Sequence, residues 1–362
     1  MSRSENKWRL LDTGLRRAAE NMAMNRALLE GHQQGVTPHT LRFLQFTPCA
    51  LLGFHQSAEQ ELKTDYCQAN GIDIQRRMTG GGAIYFDQTQ IGWELYLDKK
   101  VLGTADMGAI AKRICEAAAR AISKLGVDAK FRPRNDIEVD GKKISGTGGA
   151  FDGDSILYQG TLLLDFDVGR MMRVLNIPAE KLSDKAIASA QERVANLKDL
   201  LGKLPDMASV KQTIAAEFAA EFGIEFEPSS ELNADEVKLY NQALAEMDTA
   251  DWVYQHNRPA AEAPTLSSII KFDGGLVRTN VLLDASKNRI KQVWLTGDFF
   301  VKPRRLVADL EAALRDSAVV DLQRNVETFF ASYGAEMLLL KPENFVTAIQ
   351  AALDTVNQAE SV

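Results

Sequence analysis

At 362 residues the chain is long enough for two domains, a catalytic-sized core with a smaller appendage, and its 45% hydrophobic and 25% charged content is that of a water-soluble globular protein. A net charge of −7 sets the surface as a whole against nucleic acid and acidic membranes, so an anionic ligand has to be held by a local cationic cluster, for which Arg76, Arg77, Arg132, Arg134, Lys142 and Lys143 are the candidates. Three cysteines, Cys49, Cys67 and Cys115, make no CxxC pair, which argues against a structural zinc site or a disulfide framework and for buried free thiols in a reducing compartment.

The segment from Met1 to Lys7 lacks the apolar stretch of a leader, and no window approaches the ~20 apolar residues of a membrane span. The expected location is the cytoplasm, with no membrane or nucleic-acid partner. Asp12 or Thr13 is placed to cap a helix whose apolar stripe runs through Leu15, Ala18, Met22 and Leu29. A strand pair around Leu41–Phe46 and Ala50–Phe54 follows, with Pro48 in the turn, and it delivers His55 and Gln56 to the strand end, either as the wall of a cleft or as an exposed loop. A helix through Leu62–Asn70 stops at Gly71, and Ile72–Arg76 returns with strand alternation.

The run Arg76-Arg77-Met78-Thr79-Gly80-Gly81-Gly82-Ala83-Ile84-Tyr85-Phe86-Asp87 comes next. Three successive glycines after two arginines read as an anion pocket, or else as a plain glycine hairpin, because glycine is tolerated where the backbone needs positive φ or close approach. Ala83–Asp87 and Ile91–Leu97 are strands, with Trp93, Leu95 and Leu97 on one core face. Apolar positions 107, 110, 114, 117, 121 and 125 make a helix from Asp106 to Leu125 that carries Cys115 as packing. The stretch from Asn135 to Gly149 reads as a polar hairpin at Asp140-Gly141 that brings Lys143 to a second glycine-rich turn. An apolar strand, Tyr158–Asp165, follows, with Gly160 leaving room beside its backbone.

After Gly223 the composition shifts, and a charged helix near Ala234–Met247 precedes a boundary at Asn257-Arg258-Pro259. Leu266–Phe272, Leu276–Leu283 and Arg289–Leu295 form an antiparallel meander, and three helical stripes complete a small α+β domain. No P-loop, dinucleotide fingerprint, HExxH or GxSxG motif is present, since Gly146-Thr147-Gly148-Gly149 is followed by another turn where a helix should begin. An ATP site here has to be of another kind.

These segments resemble the lipoate-protein ligases, within the larger group that also holds biotin ligases and octanoyl transferases. Arg76–Asp87 is similar to the family's RRxSGGGAVxHD segment, and Asn135-Asp136 with Gly141–Gly146 resembles its ND…GxKxSG segment. Gly160–Leu163 resembles HGTLL, Arg193–Leu197 resembles RVxNL, and Gly297-Asp298-Phe299-Phe300 resembles the GDFF of a C-terminal accessory domain. The resemblance implies a mixed α/β catalytic domain over residues 1–255, with a mixed sheet flanked by helices, and a small α+β accessory domain over 256–362. It implies activation of lipoate with ATP and Mg²⁺ to a lipoyl-adenylate, then transfer to a lysine of an acceptor such as a lipoyl domain or an H-protein-like chain, by a monomeric enzyme.

By the same resemblance Lys143 is the catalytic cation, singled out from Lys142 only by register against the motif. Gly80, Gly81 and Gly82 form an anion nest, with Arg77 and Arg76 facing a carboxylate or the adenylate phosphate. Ala83, Ile84 and Tyr85 line the adenine and acyl cavity. Asn135 meets the phosphate, and Asp136 meets Mg²⁺ or ribose. Ser145, Gly146, Thr147, Gly160 and Thr161 complete the substrate and ATP site, and His55 and Gln56 stand as its wall. Two departures stand out: Thr147–Phe151 lacks the arginine usual after KxSG, and Gln159 replaces the histidine before Gly-Thr. The other readings are a transferase working through a cysteine thioester and a non-catalytic lipoate-binding protein.

Overall fold

The computed structural model describes residues 7–355 except 105, 134, 178–187, 189 and 258–264. The first six residues, Arg134 of the cationic candidates, and the boundary pair Arg258-Pro259 therefore lie outside the described residues. The chain divides into two compact units. The first holds the chain up to Leu51, Leu62–Met78 and Ile84–Val253; the second holds Leu52–Glu61, Thr79–Ala83 and the chain from Tyr254 onward.

The first unit is built on an eight-stranded mixed sheet. Its strands are β1 (Lys7–Arg16), β2 (Thr40–Phe46), β6 (Gln90–Asp98), β7 (Ala129–Arg132), β8 (Asp136–Val139), β9 (Lys142–Asp152), β10 (Ser155–Leu163) and β11 (Glu225–Ser229), in the order β11-β1-β2-β6-β10-β9-β8-β7. β1 runs parallel to β2 and β11, and every pairing from β2 to β7 is antiparallel. A small sheet of β3 (Cys49–Leu52), β4 (Asp73–Arg76) and β5 (Ile84–Phe86) adjoins in sequence.

Period-two alternation in β6 sends Ile91, Trp93, Leu95 and Leu97 to one face of the large sheet. There they meet Ile110, Ile114 and Cys115 of helix α2 (Met107–Ser123) and Val210, Ile214 and Phe218 of α3 (Met207–Phe222). Tyr96 goes to the opposite face, with Leu44 and Leu157. That face packs on Met22 and Leu28 of α1 (Ala18–Gln33) and on Ala243 and Met247 of α4 (Ala234–Met247). The mixed sheet flanked by helices is the expected class.

Local readings needed two corrections. Asp12 and Thr13 do not cap α1; they lie in β1, whose pairing with β2 shifts between Asp12 and Leu15, and the helix begins at Ala18 with Glu20 accepting the Arg17 N–H at 2.9 Å. Gly146–Gly149 is not a turn but part of the eleven-residue strand β9, because β8 and β10 pair along it and supply the ladder bonds that its glycines cannot reinforce with side chains.

The second unit holds an antiparallel sheet of β12 (Leu266–Phe272), β13 (Gly275–Asp284), β14 (Arg289–Gly297) and β16 (Ser317–Ala318), and a separate two-stranded pair of β15 (Val301–Lys302) with β17 (Glu336–Met337). Helices α5 (Leu306–Leu314), α6 (Leu322–Tyr333) and α7 (Pro342–Leu353) close a core of Val277, Val281, Leu295, Phe299, Leu310 and Phe345. This is the small α+β domain read from the sequence.

Candidate active site

β8 and β9 are joined by a two-residue turn in which Asp140 has φ 51° and Gly141 φ 75°, the backbone that an Asp-Gly pair accommodates. The register slips between Ile137 and Glu138, and Lys143 lies within reach of Asp136: Nζ is 2.6 Å from Asp136 Oδ1. The lysine side chain keeps 43% of its surface exposed. Its backbone is clamped on the other side by the 193–197 segment, with Lys143 N donating to Arg193 O at 2.9 Å and Ala195 N donating to Lys143 O at 2.8 Å. Lys142 is exposed, and Arg132 is spent on Glu138 at 2.6 Å, so of the two adjacent lysines it is Lys143 that has the acidic partner.

The neighbouring glycine is there for that lysine. A Cβ at Gly146 would stand 2.9 Å from Lys143 Nζ and 3.0 Å from Cε. Gly146 N donates to Thr161 Oγ1 at 3.1 Å. Asn135 is tied to Thr147 three times: its Nδ2 donates to Thr147 O at 3.1 Å, while Thr147 N and Oγ1 donate to Asn135 O at 2.7 and 3.1 Å. Ser145 is fully buried, and its hydroxyl has no hydrogen-bond partner among the described residues. Lys143, Asp136, Asn135, Ser145, Gly146, Thr147 and Thr161 are thus brought together. What approaches Gly160 is the Trp93 indole, which a Cβ there would meet at 2.2 Å.

Arg76 and Arg77 turn inward. Arg76 is fully buried, and its Nε and Nη2 donate to Val253 O at 3.1 and 2.6 Å, while Trp252 Nε1 donates back to Arg76 O at 3.1 Å. Arg77 Nη1 donates to Leu51 O at 2.9 Å. Burial pulls both guanidinium pKa values down, to about 9 for Arg76, with Arg77 adding to the effect, and to about 10 for Arg77. Ile84 pairs with Leu51 and Tyr85 with Ala50. The Tyr85 hydroxyl donates to Asp87 Oδ2 at 2.9 Å, and the phenol pKa is pushed up by burial and then by that carboxylate.

Gly80, Gly81, Gly82 and Ala83 belong to the second unit, as do His55 and Gln56. Gly81 has φ 95°, and its carbonyl fills the space where a Gly53 side chain would start, at 1.9 Å. A Cβ at Gly80 would lie 2.3 Å from Phe299 O, whereas one at Gly82 would find only Asp298 Cβ at 3.9 Å. Close packing therefore requires glycine at 80 and 53, the positive φ favours it at 81, and at 82 a Cβ would make only an ordinary contact. His55 and Gln56 are buried rather than exposed at a loop: the His55 ring stacks on Phe299 at 5.1 Å, its carbonyl accepts the Gly297 N–H at 3.1 Å, and Gln56 Oε1 accepts from Gly53 N at 2.9 Å.

Sequence reading missed two interior groups. Arg42 and Glu94 form a buried ion pair at 3.0 Å, supported by Asn21, Asn25 and Tyr96; the available signal was two asparagines four residues apart on a buried helix face, with opposite charges inside apolar strands. Removing one member of such a pair costs about 3–5 kcal/mol. The second group joins Cys115, Thr147 and Tyr158. All three thiols are buried, and burial pushes each pKa up, to about 11 for Cys67. Cys49 lies in β3.

Among the described residues no three carboxylate, histidine or cysteine side chains assemble a metal cage. Asp136 Oδ1 is buried, faces the lysine as an ion pair and accepts no well-directed hydrogen bond among the described residues. One such carboxylate fits a Mg²⁺ ion that keeps its waters and arrives on substrate phosphates.

Comparison with known proteins shows the family. Residues 17–219 match the lipoyl protein ligase A/B catalytic domain. An octanoyltransferase LipM from Kyrpidia tusciae is 30% identical over 272 residues, covering 68% of this chain and 98% of that protein. A crystal structure of lipoate-protein ligase A bound with ATP superposes with a TM-score of 0.60 at 25% identity, covering 69% of this chain and 98% of that one. The structure of Plasmodium falciparum LipL1 in complex with lipoate shares the fold over 91% of this chain and 95% of its own, with a TM-score of 0.71 at 17% identity.

Proposed function

Since the chain belongs to the lipoyl protein ligase A/B catalytic-domain family, we propose that this member is an ATP-dependent lipoate-protein ligase, activating lipoate to lipoyl-AMP and passing the lipoyl group to a lysine of an acceptor protein. The observation that carries the reading is the state of the thiols. A thioester mechanism needs a reachable thiolate, and Cys49, Cys67 and Cys115 are all buried with pKa values raised by desolvation. Lys143, by contrast, is a half-exposed ammonium beside Asp136. A second support is length: the octanoyltransferase relative is matched along 98% of itself by 68% of this chain, which leaves about a third of this chain with no counterpart there.

In this reading a lipoate carboxylate oxygen attacks the α-phosphorus of ATP, the acyl–phosphate bond forms, and pyrophosphate leaves. Negative charge gathers at the phosphorus, and the Lys143 ammonium offsets it. Mg²⁺ carried on the nucleotide phosphates, with Asp136 as its carboxylate, would neutralise part of the phosphate charge. Ser145 offers an uncommitted hydroxyl, and Asn135, braced by Thr147, keeps the Asp136 end of the hairpin in place. The acceptor lysine amine then attacks the mixed-anhydride carbonyl, the amide forms, and AMP departs. An apolar cavity has to take the eight-carbon tail and its dithiolane.

The 30% identity to an octanoyltransferase and the 3.3 Å contact of Cys115 Sγ with Thr147 Oγ1 favour a second reading, acyl transfer without ATP. Mass spectrometry separates the two. With lipoate, Mg²⁺ and ATP the expected products are bound lipoyl-adenylate and free pyrophosphate. An acyl mass on a cysteine after an octanoylated donor domain is offered, with no adenylate, would replace the ligase by the transferase, and neither signal would leave a lipoate-binding protein.

A further inference from the structure

Tyr158 and Cys115 stand behind the Asn135–Asp136–Lys143 group and take no part in the steps above. The Thr147 hydroxyl donates its one proton to Asn135 O at 3.1 Å, so its oxygen is left to accept. Tyr158 Oη lies 3.2 Å from that oxygen, and Cys115 Sγ lies 3.3 Å from both hydroxyls. With the Thr147 proton spent on Asn135 O, the Cys115 and Tyr158 protons fill two of the three contacts in this triangle, and Cys115 S–H donating to Tyr158 with Tyr158 O–H donating to Thr147 is an order that does so. Burial pushes the phenol and the thiol pKa values upward, so both keep their protons near neutrality. The ring fits because its cross-strand partner is Gly149, where a Cβ would stand 3.1 Å from Tyr158 Cδ2 and 3.2 Å from Leu157 O. Gly149 lies in the tract where the chain departs from the usual pattern after KxSG, so glycine and tyrosine are matched to one another here.

From this geometry we infer that Tyr158 is a positioning residue: through Thr147 it fixes the backbone at Asn135, and thereby the Asp136 carboxylate that holds Lys143. The inference rests on the ligase reading only for its effect on turnover, and the test therefore includes a readout that needs no activity. In the full chain without ligands, the rate at which an amine-selective acetylating reagent labels each lysine is followed by mass spectrometry. Loss of the Tyr158 hydroxyl in Tyr158→Phe is expected to raise labelling of Lys143 about fivefold, while Lys211, paired with Asp12, stays unchanged. The kcat for lipoyl-adenylate formation is expected to fall about fivefold, with KM for ATP and lipoate within about twofold of the parent. Thr147→Val, which removes the hydroxyl that accepts from Tyr158, reproduces the rise in Lys143 labelling. Unchanged Lys143 labelling in Tyr158→Phe overturns the inference, and so does an equal rise at Lys211, which would report general loosening. If the labelling changes as expected while the parent makes no adenylate, the ligase reading falls and the positioning role stands.

Discussion

Lys143 carries the chemistry in this reading, and its surroundings separate activity from stability. The ion pair with Asp136 is partly exposed, a setting worth about 0–1 kcal/mol, so Lys143→Ala is expected to leave thermal unfolding almost unchanged. Adenylate formation should nevertheless fall by about 10²–10³-fold or more, the usual loss when a group stabilising transition-state charge is removed. Gly146→Ala tests the same point with the lysine kept. The added Cβ collides with the flexible end of Lys143, which can move aside at little cost to the fold while the ammonium leaves its place. Unimpaired adenylation by Gly146→Ala would mean that the ammonium position seen here is not the working one. Lysine type and motif register were legible in the sequence. That Asp136 is its partner, and that Arg76 and Arg77 spend themselves on the Val253 and Leu51 carbonyls, was not, because those contacts depend on which backbone the fold lays beside them.

The glycine segments behave differently as elements. The Asp140-Gly141 turn identified the β8–β9 hairpin, but the glycines of 146–149 read as a turn and form a strand, because ladder bonds from both neighbouring strands outweigh glycine's weak strand preference. In the 79–83 loop the three glycines answer to different demands. Gly80→Ala drives a Cβ into the Phe299 carbonyl and is expected to cost about 2 kcal/mol, lowering Tm by roughly 5 °C. Gly82→Ala meets nothing closer than Asp298 Cβ at 3.9 Å, an ordinary contact, so its Tm should stay within about 1 °C of the parent. Equal Tm losses in both variants would show that the loop glycines serve packing alone.

For the whole molecule, the sequence places a boundary near residue 255, and the chain from Tyr254 onward forms most of the second unit. That unit also takes Leu52–Glu61 and Thr79–Ala83, through the Phe299 stack on His55, the Gly297 bond to His55 and the Asn257 carbonyl oxygen of its side chain accepting from Ala58 N at 2.9 Å. Cutting the chain after residue 255 removes Asn257, Gly297 and Phe299 and strips both stretches of partners. Hydrogen exchange should then rise across 52–61 and 79–83 while the β8–β9 hairpin keeps its protection. Unchanged exchange in those stretches would show that they hold their form without the second unit's core.

By itself the sequence determined the elements and their class: apolar period, turn chemistry and motif order are local properties, and they suffice to mark a mixed sheet flanked by helices, a small α+β appendage and the family to which the chain belongs. Only the tertiary structure decided which side chains serve which end. Burial and hydrogen-bond partnership are properties of residues distant in sequence, such as Cys115, Thr147 and Tyr158, or Arg42 and Glu94, and no local pattern encodes which of them meet.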